Sequence, residues 1–351
     1  MKKIKIAIIG CGRIFDKHKA AIEKLKKNFV IESVCDLNLK KIKKKIFFNK
    51  IKIYDSIDNL CKNSYADLAV ILTPSGFHFN HIKKLSDYFK NIVVEKPMVM
   101  NVGQASKIVK HCKKRKINLF IVKQNRFNPA IIKLKEAIDQ KRFGKIFLAS
   151  IRVRWSRNNN YFLQDKWRGK WKYDGGVLAN QASHHIDLLQ WLMGDVKSVF
   201  AKTLKIVKKT NAADTCLAIL KFKNGAIGTV EATTATSPED LEGSISILGE
   251  KGTVIVGGFA VSKIDTWKFT KSRKQDKNIF KFSSNNKNVY GFGHIEFYKN
   301  VFNFLNNKKN KVTTYRDGIK SIKIIDKIYA SSEISKEVYM DDNKFSKKLG
   351  F

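Results

Sequence analysis

Gly10-Cys11-Gly12-Arg13-Ile14-Phe15 follows an apolar run and opens a helical pattern, and Asp36 closes a second apolar run. In that setting a first glycine permits a tight turn and a second lets the backbone come close to a pyrophosphate. The helix N-terminus adds unpaired N–H groups. Phe15 stands where the dinucleotide fingerprint has a third glycine for close helix–strand packing, so the motif is partial. Asp36 is placed to accept hydrogen bonds from ribose hydroxyls and to repel a 2′-phosphate, which selects NAD over NADP. The plainer alternatives are an ordinary strand-to-helix turn and an Asp36 that caps the helix beginning at Leu37.

Val93-Val94-Glu95-Lys96-Pro97 ends a further apolar run, at the edge where open α/β sheets place their ligands. Burial and a cationic nicotinamide would both depress the pKa of Lys96, and Pro97 would stiffen its loop. In a chain with 59 lysines the plain reading of Lys96 is a solvated surface residue. A third segment runs from Asp174-Gly175-Gly176 through Asn180 to His184-His185-Ile186-Asp187. His184 and Asp187, at i and i+3, share one helix face, so the carboxylate could orient the imidazole. The alternative is a capped helix with a hydrogen-bonded core histidine. Arg168, flanked by Trp167 and Trp171, could meet a carboxylate or a diphosphate bidentately.

The elements that must position these residues follow from the apolar pattern. Continuous runs at Ile4–Ile9, Val30–Cys35, Ile51–Tyr54, Leu68–Thr73, Ile92–Val94 and Ile117–Val122 read as buried strands. Helical patterns such as Phe15–Lys27 and Val102–Lys114 alternate with them. The rhythm predicts an N-terminal doubly wound parallel sheet of Rossmann type over residues 1–124. After a helix at Pro129–Gln140, residues 125–351 read as an α+β domain with a largely antiparallel open sheet. Its strands fall near Ile146–Trp155, Ser198–Val207, Thr215–Lys223, Ala226–Thr234, Ser244–Leu248 and Thr253–Val256. Helices are expected at His184–Met193, Gly293–Asn306 and Gly318–Lys336. The whole is an α/β protein whose second sheet has an open face, which calls for a homodimer or homotetramer.

Composition narrows the class. The 351 residues carry 69 basic and 30 acidic side chains, a net charge of +39. Only ten of the basic residues are arginine, and the lysines are strewn through every segment with many Ile, Asn and Phe. Those four residue types share AT-rich codons, so a biased genome explains the charge better than a specific nucleic-acid site does. No apolar run approaches the roughly 20 residues of a membrane span, and no export signal is read at the N-terminus. Five scattered cysteines without C-x-x-C spacing suggest a reducing cytoplasm and no metal centre.

Together the glycine loop, Thr73-Pro74 with His78, Glu95-Lys96-Pro97, the Gly175–Asp187 segment and Gly291-Phe292-Gly293-His294 resemble the Gfo/Idh/MocA family of NAD(P)-dependent oxidoreductases. The likeness extends along nearly the whole chain. It implies that Lys96 is the active-site lysine and that His184 is the histidine ending the family's D-x-x-x-H pattern. Asn180 stands where many relatives, the inositol dehydrogenases among them, carry the aspartate of that pattern. An amide cannot take up a proton, so a Lys–Asp relay is unavailable and the base role falls more heavily on His184 than on Lys96, with Asn180 and Asp187 in support. Contacts to NAD are implied for Gly10, Gly12, Arg13, Ile14, Asp36, Thr73, Pro74, His78, Glu95, Lys96 and Gln124. Substrate contacts are implied for Arg126, Arg168 and His294. The stretches Lys123–Pro129 and Asp165–Trp171 are similar to the branch that oxidises the 3-hydroxyl of UDP-N-acetyl-amino sugars and their uronates for surface polysaccharides. The alternatives are a free-sugar or inositol dehydrogenase, and a protein that binds NAD or nucleic acid without catalysis.

Overall fold

Runs that are apolar on both faces can only be stable between two layers, and here they form one sheet. The computed structural model describes residues 2–40, 42, 51–284 and 293–351, so Gly291 and Phe292 of the late glycine motif lie outside the described residues. Six parallel strands make the first sheet: β1 (Ile4–Ile9), β2 (Phe29–Cys35), β3 (Lys52–Tyr54), β4 (Leu68–Ile71), β5 (Asn91–Val94) and β6 (Asn118–Ile121). Their order is β3-β2-β1-β4-β5-β6, with Ile9 beside both Cys35 and Ile71. The order reverses between β1 and β4, which makes the carboxyl ends of those two strands the place where open sheets of this kind bind ligands.

Helices α1 (Phe15–Lys24), α2 (Ile57–Asn63), α3 (His78–Leu85) and α4 (Val102–Arg115) connect these strands. In α4 the residues at spacings of three and four, Ala105, Ile108 and Cys112, are the buried ones. The chain divides into two compact units, and the first also contains residues 294–319. That late segment includes most of α7 (Gly293–Leu305), which sets Tyr298 and Phe302 edge-on against Phe29 of β2. It ends where the Ile121 N–H donates to the Thr313 carbonyl and the Thr313 hydroxyl donates to the Ile121 carbonyl. The pattern placed the end of the first domain at residue 124. An amphipathic helix shows that it has an apolar face, but not which sheet that face covers.

The second unit holds residues 100–102, 123–293 and 320–351. Its sheet contains β7 (Ile146–Arg154), β8 (Val196–Leu204), β9 (Thr215–Phe222), β10 (Ile227–Thr233), β11 (Glu242–Gly249), β12 (Gly252–Gly257), β13 (Lys263–Phe269) and β14 (Val338–Tyr339). The order is β13-β12-β11-β7-β10-β9-β8-β14, with β7 and β10 parallel and the other neighbours antiparallel. The edge strands β13 and β14 were not expected from the sequence; β13 is lysine-rich and β14 has two residues. In β9 burial alternates residue by residue. The inner face packs on α6 (Ser183–Met193), whose Ile186, Leu188, Leu189 and Leu192 share one core with Ile151, Ala218, Val230 and Ile245. On the sheet's strands Phe147, Phe200, Leu217, Ile219 and Ile227 remain exposed. The unit also contains α5 (Pro129–Asp139) and the greater part of α8 (Tyr315–Ile334). All five cysteines are buried and none is in a disulfide.

Candidate active site

In the first unit the expected residues gather at the carboxyl ends of β1, β4 and β5. Gly10 has φ +97°, and a Cβ on it would meet the backbone of Leu72 and Thr73 at 2.9 Å, so only glycine lets the two loops touch. Gly12 is different, since a Cβ there would have nothing within 4 Å. Packing among the described residues does not demand a glycine there, whereas close approach of a diphosphate would. Asp36 Oδ2 accepts the Cys11 N–H at 2.7 Å and its Oδ1 accepts the Asn38 N–H at 2.9 Å. The carboxylate therefore holds both the glycine loop and the turn after β2, and its two oxygens retain further acceptor capacity. Arg13 is exposed, Ile14 half-buried, and Phe15 fully buried beneath the loop.

His78, expected among the cofactor contacts, braces two loops. It is fully buried, with Nε2 2.9 Å from the Thr73 carbonyl and Nδ1 2.8 Å from the Pro97 carbonyl. Thr73 itself pairs through its hydroxyl with His81 Nδ1 at 2.9 Å, and Pro74 is half-buried. Lys96 is half-buried, and its N–H donates to Glu95 Oε2 at 3.0 Å. Glu95 is buried, with Oε1 2.9 Å from His18 Nε2 and 3.8 Å from Nε2 of His294. Burial pushes the Glu95 carboxyl up, but the contacts of His18 and His294 outweigh it and hold the group well below the usual carboxylate range. Glu95 and His294, expected as cofactor and substrate contacts, are thus neighbours in the interior of this unit.

In the second unit Gly175 and Gly176 both have φ +71°, and a Cβ on Gly176 would lie 2.5 Å from the Ala213 carbonyl. The Tyr329 hydroxyl donates to the Gly175 carbonyl at 2.8 Å and pins the turn. Next, the Asn180 side-chain amide donates to Asp174 Oδ1. An aspartate at 180 would set two carboxylates against each other, so the amide suits its neighbour as well as its chemistry. His184, nearly buried on α6, has Nε2 3.1 Å from the amide nitrogen of Gln124.

Asp187 does not orient His184. Its oxygens accept both arms of Arg126, Nε to Oδ2 at 2.8 Å and Nη2 to Oδ1 at 2.9 Å, with Lys123 Nζ at 3.2 Å. Burial pushes Asp187 up, yet Arg126 and Lys123 bring it down to about 2. Arg126, expected among the substrate contacts, pairs with Asp187 and lies 5.2 Å from the Trp191 ring. Arg168 lies 4.4 Å from the Tyr161 ring and 4.6 Å from that of Trp167, and donates to Asp165 at 2.9 Å. His18 and Tyr298 were missed in sequence, and Lys123 and Asp174 entered only as the first residues of longer segments. His18 had a signal, since it falls three residues after Phe15 on the buried face of α1.

Residues 4–123 match the family model for the oxidoreductase family NAD-binding Rossmann fold (GFO_IDH_MocA), and residues 135–340 match that for its C-terminal alpha/beta domain. The WlbA dehydrogenase of Bordetella pertussis, solved with NADH and UDP-GlcNAcA, is 38% identical with a TM-score of 0.92, covering 96% of this chain and 98% of that one. The WlbA dehydrogenase of Chromobacterium violaceum, solved with the same two ligands, is 36% identical with a TM-score of 0.90, covering 97% and 96%. The myo-inositol 2-dehydrogenase of Thermotoga maritima is 25% identical over 258 residues, 72% of this chain and 74% of its own.

Proposed function

The chain belongs to the Gfo/Idh/MocA oxidoreductase family, and on that premise we propose that it is an NAD-dependent dehydrogenase oxidising a secondary hydroxyl, at C3, of a UDP-N-acetyl-amino sugar or its uronate. The observation that carries the reading is the 38% identity over almost the full length of both chains to a dehydrogenase solved with NADH and UDP-GlcNAcA. NAD, when bound, supplies the acceptor for the hydride of the carbinol carbon.

The residues present fit that cofactor. Gly12 leaves room beside the α1 N-terminus for a diphosphate, and Asp36 has acceptor capacity for the ribose hydroxyls. A sugar hydroxyl gives up hydride only as its proton leaves. His184 takes that proton, and Lys96 donates a hydrogen bond to the same oxygen and stabilises the developing negative charge. Gln124 holds the His184 ring without adding charge. Arg168 meets the anionic part of the substrate, a carboxylate or the diphosphate.

The enzyme works as a homodimer or homotetramer in the cytoplasm. Exposed Phe147, Phe200, Leu217, Ile219 and Ile227 support association through the second sheet, and no helix among the described residues is long and apolar enough to cross a membrane. A specific nucleic-acid site is not part of this reading, since the lysines are spread through every segment of the chain. The test is a panel of UDP-sugars, free sugars and inositols assayed for NADH formation with the purified protein. UDP-GlcNAcA or a close relative should be turned over far better than the rest; preference for a free polyol would overturn the substrate assignment.

A further inference from the structure

A carboxylate buried as deeply as Glu95 is costly unless each oxygen has a donor. Oε2 takes the Lys96 N–H at 3.0 Å. Oε1 faces His18 Nε2 at 2.9 Å, and the other His18 nitrogen, Nδ1, lies 2.7 Å from the Tyr298 hydroxyl. His294 stands edge-on to His18 with ring centroids 4.9 Å apart, and its Nε2 has no hydrogen-bond partner among the described residues.

Two histidines and a glutamate could suggest a metal centre, but the spacing argues for direct hydrogen bonding. Two ligands of one tetrahedral zinc ion, each about 2.1 Å from it, stand about 3.4 Å apart. His18 and Glu95 are closer, at 2.9 Å, an ordinary charge-assisted hydrogen bond.

The direction of each bond follows from chemistry. An ionised carboxylate only accepts, so His18 donates from Nε2 and Lys96 from its amide. Burial pushes His18 down and leaves it neutral, so Nδ1 carries the lone pair and the Tyr298 hydroxyl donates to it. Burial likewise keeps Tyr298 protonated. We propose that the hydrogen bonds converge on Glu95, Tyr298 donating to His18 and both His18 and the Lys96 amide donating to the carboxylate, and that this network fixes the lysine's loop, with His294 packed against the carboxylate. These are positioning residues, tying the end of β5 to α1 and α7. The motif's glutamate thereby acquires a role turned inward, toward the protein. The use to which Lys96 is put rests on the function proposed above, whereas the network of bonds does not.

The test uses the full-length protein and three variants, Tyr298→Phe, His18→Leu and His18→Gln. Tyr298→Phe removes only a hydroxyl and keeps the ring. His18→Gln can keep a donor at the Nε2 position, and His18→Leu cannot. Hydrogen–deuterium exchange is followed on the peptide spanning residues 94–98, in which Pro97 contributes no amide. Exchange should speed up at least tenfold in Tyr298→Phe and His18→Leu and stay near the original rate in His18→Gln. On a UDP-sugar the same two variants should lose about 10- to 100-fold in kcat with KM little changed, and His18→Gln should recover most of it. Equal impairment of His18→Gln and His18→Leu, or unchanged exchange in Tyr298→Phe, would overturn the proposal. Should the unmodified protein turn over nothing in the panel, the function fails while the exchange rates still decide the network.

Discussion

The side-chain amide of Gln124 lies 3.1 Å from Nε2 of His184, and both residues are buried within the second unit. A carboxamide can set the ring's orientation without changing its charge, which suits an imidazole that must exchange a proton. His184→Asn should therefore lower kcat by about 10²- to 10⁴-fold, the usual weight of a general base. Gln124→Leu, which loses only the orienting contact, should cost about tenfold. Absorbance of NADH reports both rates, and a His184→Asn enzyme of near-normal turnover would remove the histidine from the mechanism.

On the proposed mechanism Lys96→Ala should depress kcat by about 10²- to 10³-fold, the usual cost of losing a donor to developing oxyanion charge. In the proposed reading NAD is held by the Gly10–Gly12 loop and Asp36, so titration of NADH fluorescence should give a Kd within a few-fold of the unmodified protein. A Kd raised in proportion to the loss of kcat would make Lys96 a cofactor ligand.

Removing the carboxylate of Asp187 strands Arg126 and Lys123 as buried cations. Asp187→Ala should cost about 3–5 kcal/mol of stability, read from urea unfolding. The acid dependence has a definite sign. The folded-state value of about 2 lies below the 3.8 of an unperturbed aspartate, so the stabilisation is complete above pH 3.8 and disappears as pH falls toward 2. The variant should lack this part of the acid transition, and an identical acid limb in both proteins would mean that the pair contributes little.

His185, beside His184 on α6, is fully buried and desolvated to a pKa of about 4. The unfolded chain binds a proton at about 6.5, the folded one resists it, so stability is complete above pH 6.5 and declines by up to about 3 kcal/mol as pH drops to 4. His81, lowered to about 4 by burial, His78 and Lys84, acts in the same direction. Measured by urea unfolding between pH 4 and 7, His185→Leu should show a shallower slope that is not flat. A slope equal to the original would assign the acid sensitivity elsewhere.

The strands of the first sheet were legible because continuous β-branched runs have few other homes, and the glycine loop because its turn needs Gly10's positive φ. The edge strand at Lys263–Phe269 was not, since an exposed edge tolerates lysines that blur the alternation. At the site, the spacing that set Asp187 beside His184 did not anticipate its pairing with Arg126. An i, i+3 neighbour is a weak pull beside a bidentate guanidinium arriving from position 126. The Glu95 partners were invisible for a related reason. His18 lies 77 residues from it, and Tyr298 lies 280 residues from His18. Such pairings are set by the packing of α1 and α7, which no local pattern encodes.

The buried thiols have a practical side. Desolvation pushes Cys35, Cys112 and Cys216 up to about 12 and Cys61 to about 11. At neutral pH only about one such sulfur in 10⁴–10⁵ is the nucleophilic anion, so maleimides and mild oxidants should leave the native protein almost untouched. A single cysteine introduced on the surface would then accept a fluorophore or spin label in preference to these four, with Cys11 shielded by burial.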